Sequence, residues 1–248
     1  MSIDKGRFTW FEQLSDAPAT AQRFYTEVLP WTVESFAMGG DSYPMIKAGA
    51  AMVGGFAKLP EGVKHPHWIS YLTVDDVERT AKAVVAAGGK TLMDAFDVPT
   101  VGRMQPIADP DGAALFLFKP AQDSGEKTTG AGSFHWNELW SKDAKKAVAF
   151  YEKVFGYTHD EMPMGEGTYY VLKNGAESRG GIMQSPSKDI PSHWLPYVEV
   201  ADVDATVKRA VRNGGKQEGD AMEMPGVGRF AFVRDAQGAR LGLITPAR

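Results

Sequence analysis

The chain is expected to fold as an α+β protein built from tandem β-α-β-β-β units, four of them grouped in two modules. Three observations lead there. The stretch His67-Trp68-Ile69-Ser70-Tyr71-Leu72-Thr73-Val74-Asp75-Asp76-Val77 recurs 126 positions later as His193-Trp194-Leu195-Pro196-Tyr197-Val198-Glu199-Val200-Ala201-Asp202-Val203. The same shift relates Phe24-Tyr25 to Phe150-Tyr151, Gly54-Gly55 to Gly180-Gly181, Gly88-Gly89-Lys90 to Gly214-Gly215-Lys216, Val101-Gly102-Arg103 to Val227-Gly228-Arg229, and Gly112-Ala113 to Gly238-Ala239. Inside each copy, apolar residues switch between a spacing of two and helical spacing. Solenoid repeats run to roughly 20–50 residues, so this longer period is a duplicated domain. The reading places a first module at 1–120, a linker at 121–132 and a second module at 133–248.

Arg7 to Leu14 alternates as a strand, with Phe8, Trp10, Glu12 and Leu14 on one face. Asp16 is expected to cap a helix that has Pro18 in its first turn, Ala21, Phe24, Tyr25 and Val28 on its apolar stripe, and its end near Pro30. Short strands then fit Trp31 to Met38, Ser42 to Lys47 and Ala51 to Lys58, separated by Gly39-Gly40-Asp41 and Ala48-Gly49-Ala50. The second half repeats the plan. A strand from His67 to Val74 leads to Asp76 as N-cap and a helix with the stripe Val77, Ala81, Val84 and Val85, which Gly88-Gly89 ends. Strands follow at Thr91 to Val98, Arg103 to Ala108 and Ala113 to Lys119, the last two joined by the turn Asp109-Pro110-Asp111-Gly112. Ala121 to Gly132 has linker composition. The second module then offers a strand from Phe134 to Trp140, a helix from about Asp143 to Phe155, three strands to about Gln184, a strand from His193 to Val200, a helix from Asp202 to Asn213 and three strands ending at Thr245.

The 248 residues carry a formal net charge of −4 with the basic residues scattered, which gives no electrostatic footprint for nucleic acid or an anionic membrane. A small-molecule partner is the expectation. There is no cysteine, which excludes disulfides, thiolate metal sites and cysteine nucleophiles. No window approaches ~18 uninterrupted apolar residues and the start lacks an apolar signal region, so a cytoplasmic location is expected. The glycine pairs 39-40, 54-55 and 180-181 do not follow a strand-to-helix dinucleotide fingerprint and are read as turn or bulge glycines.

With these motifs in order twice, the sequence resembles the vicinal oxygen chelate superfamily of glyoxalase I, bleomycin-resistance proteins and extradiol dioxygenases, over nearly its whole length. The carrying residues are Phe24-Tyr25 and Phe150-Tyr151-Glu152-Lys153-Val154-Phe155-Gly156-Tyr157, the helix entries Val74 to Val77 and Val200 to Val203, and the turns Asp109 to Gly112 and Asp235-Ala236-Gln237-Gly238. Trp136-Asn137-Glu138-Leu139 and Val227-Gly228-Arg229 are similar to motifs of the two-module glyoxalase-like subgroup. The resemblance implies curved mixed sheets forming cup-shaped half-barrels, with the two modules pairing within the chain; a homodimer is compatible with it. It also implies metal ligands at three strand positions, which here are Trp10 and Trp136, Ile69 and Leu195, and Phe116 and Gly242. None of these supplies the oxygen or imidazole donor that a divalent ion needs. No cofactor is therefore expected, and a divalent metal has only a non-standard Glu/His site open to it.

Displaced donors remain. Glu12 and Glu138 share a strand face with the first ligand position, and His67 and His193 with the second. Glu138 and Glu12 are the candidate catalytic groups, as general bases; Trp136, Trp10, His67, His193, Tyr71, Tyr197, Arg103 and Arg229 are the candidate substrate-binding residues. Each has a plainer alternative. The histidines can satisfy a loop carbonyl, the glutamates can pair with an arginine, and Arg103 and Arg229, which could bind an anion or neutralise an inward Glu, are more simply held in an intramolecular ion pair. His135 and Asn137 fall on the opposite face and are expected at the surface or an interface. By resemblance the chain is expected to be a glyoxalase-like lyase or isomerase acting on a small carbonyl compound such as methylglyoxal or its thiol adduct, with Arg229, Tyr197 or His193 taking over the electrophile's part. The alternative is a non-catalytic binder of the bleomycin-resistance type. An oxygenase is a third reading for which the residues supply no iron ligands.

Overall fold

The structure, a computed structural model, describes residues 4–38, 41–122, 128–165 and 167–247. The expected turn at Gly39-Gly40 and residues 123–127 of the expected linker lie outside the described residues. In chain order the elements are β1 (Phe8–Ser15), α1 (Pro18–Val28), β2 (Trp31–Met38), β3 (Asp41–Ala48), β4 (Ala51–Lys58), β5 (His67–Thr73), α2 (Val77–Ala86), β6 (Lys90–Thr91), β7 (Phe96–Val98), β8 (Gly102–Ala108) and β9 (Ala114–Pro120). They continue as β10 (Phe134–Ser141), α3 (Ala144–Phe155), β11 (Thr158–Met164), β12 (Gly167–Asn174), β13 (Glu177–Gln184), β14 (His193–Glu199), α4 (Val203–Arg212), β15 (Lys216–Met224), β16 (Gly228–Arg234) and β17 (Arg240–Pro246).

The strands form two curved mixed sheets, one per sequence repeat. Their orders are β2-β3-β4-β1-β5-β9-β8-β6, with β7 also on β8, and β11-β12-β13-β10-β14-β17-β16-β15. The pairs β1–β4, β5–β9, β10–β13 and β14–β17 are parallel; the hairpins are antiparallel.

Local chemistry accounts for the helix starts and for the end of α3. Asp76, Asp143 and Asp202 cap their helices by accepting from the N–H of Arg79, Lys146 and Ala205, each such cap contributing about 1 kcal/mol. Gly156 closes α3 in the left-handed conformation, φ 73°. Asp16 does not cap α1: Ala17 holds the N-cap position without a side-chain bond, because Pro18 already begins the helix. The expected strand 91–98 is broken into β6 and β7, whereas its counterpart β15 runs through with a register shift between Glu218 and Met222. Val85 drops off the α2 stripe at 53% exposure, and Thr80 joins Val77, Ala81 and Val84 on the buried face. The glycine pairs 54-55 and 180-181 sit inside β4 and β13, not in turns. A Cβ on Gly54 would meet the Phe11 carbonyl oxygen, and one on Gly180 the Asn137 carbonyl oxygen, so both admit a neighbouring backbone.

The compact units do not follow the repeats. One comprises Met1–Thr9, Ser70–Glu126 and Trp136–Trp194; the other comprises Trp10–Ile69, Lys127–His135 and Leu195–Arg248. The first unit packs α2 against α3 over a core that joins Leu72, Val77, Val84, Ile107, Leu115 and Leu117 of one repeat to Leu139, Val148, Tyr151, Leu172, Ile182 and Trp194 of the other. Full burial of each such side chain contributes about 1.5–3 kcal/mol. The second unit packs α1 against α4, with Phe11 stacked on Phe134 at 4.0 Å and the rings of Tyr25, Trp31 and Phe56 around Trp68. Among the described residues no helix is long and apolar enough to cross a membrane.

In each unit the tyrosine of one repeat's Phe-Tyr pair meets the closing-turn aspartate of the other. Tyr151 donates to Asp109 at 3.4 Å while accepting from Trp194 Nε1 at 2.8 Å. Tyr25 likewise bonds Asp235 and accepts from Trp68 Nε1 at 2.9 Å. Asp109 also accepts from the N–H groups of Asp111 and Ala113. Burial nevertheless pushes its carboxyl up to about 6. The folded state thus holds the Asp109 proton more tightly than the unfolded chain, and this contribution to stability is complete below pH ~4 and lost as pH rises through about 6. On going from pH 7 to pH 4, urea unfolding is expected to show the natural chain gaining up to about 3 kcal/mol relative to Asp109→Asn; parallel pH profiles would contradict it.

Candidate functional site

The inward faces of β1 and β10 carry the same constellation. Parallel pairing sets Glu12 beside Gly55 and Glu138 beside Gly181. A tyrosine from the next strand but one lies over each glycine: a Cβ on Gly55 would fall on the Tyr43 hydroxyl, and one on Gly181 on the Tyr169 hydroxyl. Tyr43 donates to Glu12 Oε1 at 2.6 Å, and Tyr169 bonds Glu138. Behind each phenol stands a tryptophan, Trp10 Nε1 at 3.2 Å from the Tyr43 oxygen and Trp136 Nε1 at 2.7 Å from that of Tyr169. An indole N–H only donates and a carboxylate only accepts, so each chain of bonds has one direction, Trp to Tyr to Glu. Burial first, and the neighbouring carboxylate second, push the Tyr43 and Tyr169 hydroxyls well above the ordinary tyrosine value, so both remain protonated donors. Glu12 and Glu138 are 8% and 6% exposed. Their inward direction follows the strand alternation, and their donors are neutral rather than the arginines considered above.

The copies differ at the next inward position. Trp140 donates to Glu138 Oε1 at 2.6 Å and meets the His193 ring edge-to-face at 5.5 Å, thereby touching both members of the expected Glu/His pair. Position 14 holds leucine instead.

His67 and His193 each turn Nδ1 to a loop carbonyl, of His65 at 2.9 Å and Pro191 at 2.8 Å. A carbonyl accepts, so Nδ1 carries the proton and Nε2 is the acceptor of the neutral ring. Burial lowers the His67 value, favouring the neutral form. Arg103 and Arg229 are not inside. Arg103 binds Glu78 at 2.5 Å and Asp97 at 2.6 Å, and Arg229 binds Asp204 through two bonds of 2.8 Å, all exposed. Glu78 and Asp204 belong to the first turns of α2 and α4, so these arginines tie a helix to a strand and neither neutralise an inward glutamate nor form an anion site. Asn137 is also corrected: it is 2% exposed and accepts from Ser70 Oγ at 3.3 Å, because the outer face of β10 lies against the core of its unit. Tyr71 stacks on Phe116 at 4.4 Å; Tyr197 packs among Phe230 and Phe232 with its ring over Gly242.

The donor set does not fit the divalent ion that the resemblance implies. The positions at which the resemblance implies ligands, Trp10, Trp136, Ile69, Leu195, Phe116 and Gly242, carry only carbon or an indole N–H as side-chain groups. Among the described residues no three His, Asp or Glu side chains come together as a metal-binding group. An open groove of about 450 Å³ does exist, lined by Glu78, Ala81, Lys82, Val85, Ala86, Thr91 and Gln105 beside α2, but it includes neither glutamate constellation.

Tyr43 and the glycines at 55 and 181 were not legible as site residues one at a time; the 126-residue shift that pairs Tyr43 with Tyr169 and Gly55 with Gly181 is the signal that finds them. Gly181→Ala is expected to cost about 1–3 kcal/mol in urea unfolding by driving Tyr169 off Glu138. In the double variant with Tyr169→Phe, the two losses should fall short of additivity by about 1 kcal/mol; strict additivity would contradict this packing.

Family models match both copies: a glyoxalase-like domain over residues 12–118, and the Glyoxalase/Bleomycin resistance protein/Dioxygenase superfamily over residues 133–243. The protein CFP32 of Mycobacterium tuberculosis, provisionally named a glyoxylase, is 36% identical over 250 residues, covering 98% of this chain and 96% of its own. The anthracycline biosynthesis protein DnrV of Streptomyces peucetius is 29% identical over 256 residues, covering 96% and 93%. Among solved structures, the Mn(II)-bound glyoxalase from Novosphingobium aromaticivorans superposes with a TM-score of 0.69 at 17% identity, over 97% of this chain and 82% of that one. The 2,3-dioxygenase LapB from Pseudomonas sp. KL28 gives 0.69 at 12% identity, over 98% and 94%, a likeness of fold. Two matched modules and full-length similarity to CFP32 place the chain in the glyoxalase/bleomycin resistance protein/dioxygenase superfamily, the vicinal oxygen chelate superfamily, as a glyoxalase-like member.

Proposed function

We propose that this glyoxalase-like chain binds an aromatic or amphipathic small molecule on its Trp-Tyr-Glu constellations and does so without the superfamily's divalent ion. The observation that carries the reading is a buried carboxylate held by neutral phenol and indole donors, with further rings beside it. Such a surface offers π-faces together with one fixed acceptor, the combination of apolar wall and few polar groups that small-molecule sites use. The relative named for anthracycline biosynthesis points the same way, since anthracyclines are aromatic.

A second reading keeps the enzyme: a lyase or isomerase acting on methylglyoxal or its thiol adduct, with Glu138 or Glu12 taking a proton from carbon. It is favoured by the name of CFP32 and by the burial of Glu138 among neutral donors, a setting in which a carboxylate can serve as a general base.

The two readings separate experimentally. Titration of intrinsic tryptophan fluorescence with a panel of fused-ring phenols is expected to give dissociation constants below a millimolar, and Glu12→Gln with Glu138→Gln should weaken the phenols by about tenfold. Incubation with methylglyoxal and common thiols, with EDTA or with added Ni²⁺ or Zn²⁺, is expected to give no turnover. Turnover that survives EDTA and falls about 10²-fold or more in Glu138→Gln would establish the enzyme instead.

A further inference from the structure

The two constellations are built alike up to Glu and Tyr and then diverge in bulk. In one unit, Trp140 fills the space next to Glu138, and Met183 pairs with it across the parallel strands. In the other, the matching pair is Leu14 and Ala57, in the same register. Paired residues of parallel strands share a face, so both reductions fall on the side that carries the glutamate. Together they remove about nine non-hydrogen atoms, the content of a small bicyclic ring, and an apolar cavity of ~150 Å³ already takes up benzene.

The filled copy also shows what the smaller copy is shaped to accept. Trp140 is a planar ring that directs one N–H to the carboxylate at 2.6 Å and presents its edge or face to a histidine ring at 5.5 Å with 66° between planes. The acceptor and the histidine are retained as Glu12 and His67, with the same Nδ1-to-carbonyl anchoring and the same tyrosine donor. Position 14 carries leucine where position 140 carries the indole. We propose that the Glu12 site binds a planar aromatic molecule bearing one ring N–H or phenolic O–H, seated over Leu14 and Ala57 and donating to Glu12 as Trp140 donates to Glu138. A carboxylate has about four lone-pair positions, so Glu12 accepts this donor alongside the Tyr43 hydroxyl. The Glu138 site is then closed to such a ligand by the chain's own indole. The inference rests on the binding reading above and adds the ligand class and the copy that takes it.

Calorimetric titration of the full chain with indole, with phenol and with benzene tests this. One molecule of indole or phenol per chain is expected, with benzene weaker by about tenfold for want of a donor. Leu14→Trp and Ala57→Met, which install the residues of the other copy, should each lower indole affinity at least tenfold. Trp140→Leu should raise the stoichiometry to two. Melting curves report whether each variant is folded, and Ala57→Met decides the matter if Leu14→Trp does not fold. Indole binding unchanged in folded Leu14→Trp or Ala57→Met overturns the inference, as does a natural chain that binds neither indole nor phenol. The titration with fused-ring phenols judges the broader reading separately.

Discussion

A carboxylate removed from water needs donors, and this chain meets the need four times with the same device. Trp68 and Tyr25 serve Asp235, Trp194 and Tyr151 serve Asp109, Trp10 and Tyr43 serve Glu12, and Trp136 and Tyr169 serve Glu138. Each indole can only donate and each carboxylate can only accept, which leaves the phenol one orientation. A buried acid without partners costs several kcal/mol; a relay of neutral donors offsets part of that cost without adding a second buried charge, and Asp109 and Asp235 still hold their protons more tightly than usual. The remaining tryptophans follow the same logic, Trp140 donating to Glu138 and Trp31 to the Gly132 carbonyl at 2.6 Å.

The four relays fall into two kinds. Those ending on Asp109 and Asp235 lie in the cores and join a helix of one repeat to a closing turn of the other, so they hold each unit together. Those ending on Glu12 and Glu138 lie on β1 and β10, central strands of the two sheets. What sets the reading of function is the company these two acids keep. The acid is present, its donors are uncharged, and its neighbours are rings.

Duplication made the fold legible. Strand alternation, the aspartate caps at 76 and 202, and the order of elements all appear twice in the sequence and both times in the structure. The site was legible only in part, for a reason of distance along the chain. Glu12 and Glu138 announce themselves as acids on an apolar face, but their donors Tyr43 and Tyr169 lie 31 residues away and across a sheet. Gly54-Gly55 read locally as a turn or a bulge; they lie in β4 beside a register shift, and nothing nearby in sequence shows the Phe11 carbonyl and the Tyr43 hydroxyl that need the room. Arg103 and Arg229 do form intramolecular ion pairs, but their partners Glu78 and Asp204 could not be named from the sequence for the same reason: they come 25 residues earlier, in the first turn of a helix. Val85 shows the limit of counting apolar residues, since a stripe drifts off the buried face after two turns.

The reciprocity of the core relays, each repeat's tyrosine meeting the other repeat's aspartate, is the bonding pattern of an isologous pair of identical subunits. Carried on a single polypeptide, that association no longer depends on protein concentration, because the connecting segment keeps the partner at hand. It also lifts a constraint that symmetry imposes. Two identical chains must show the same residue at both equivalent places, so neither could carry tryptophan where its twin carries leucine. A fused pair can, and Trp140 at the position equivalent to Leu14 is that freedom in use.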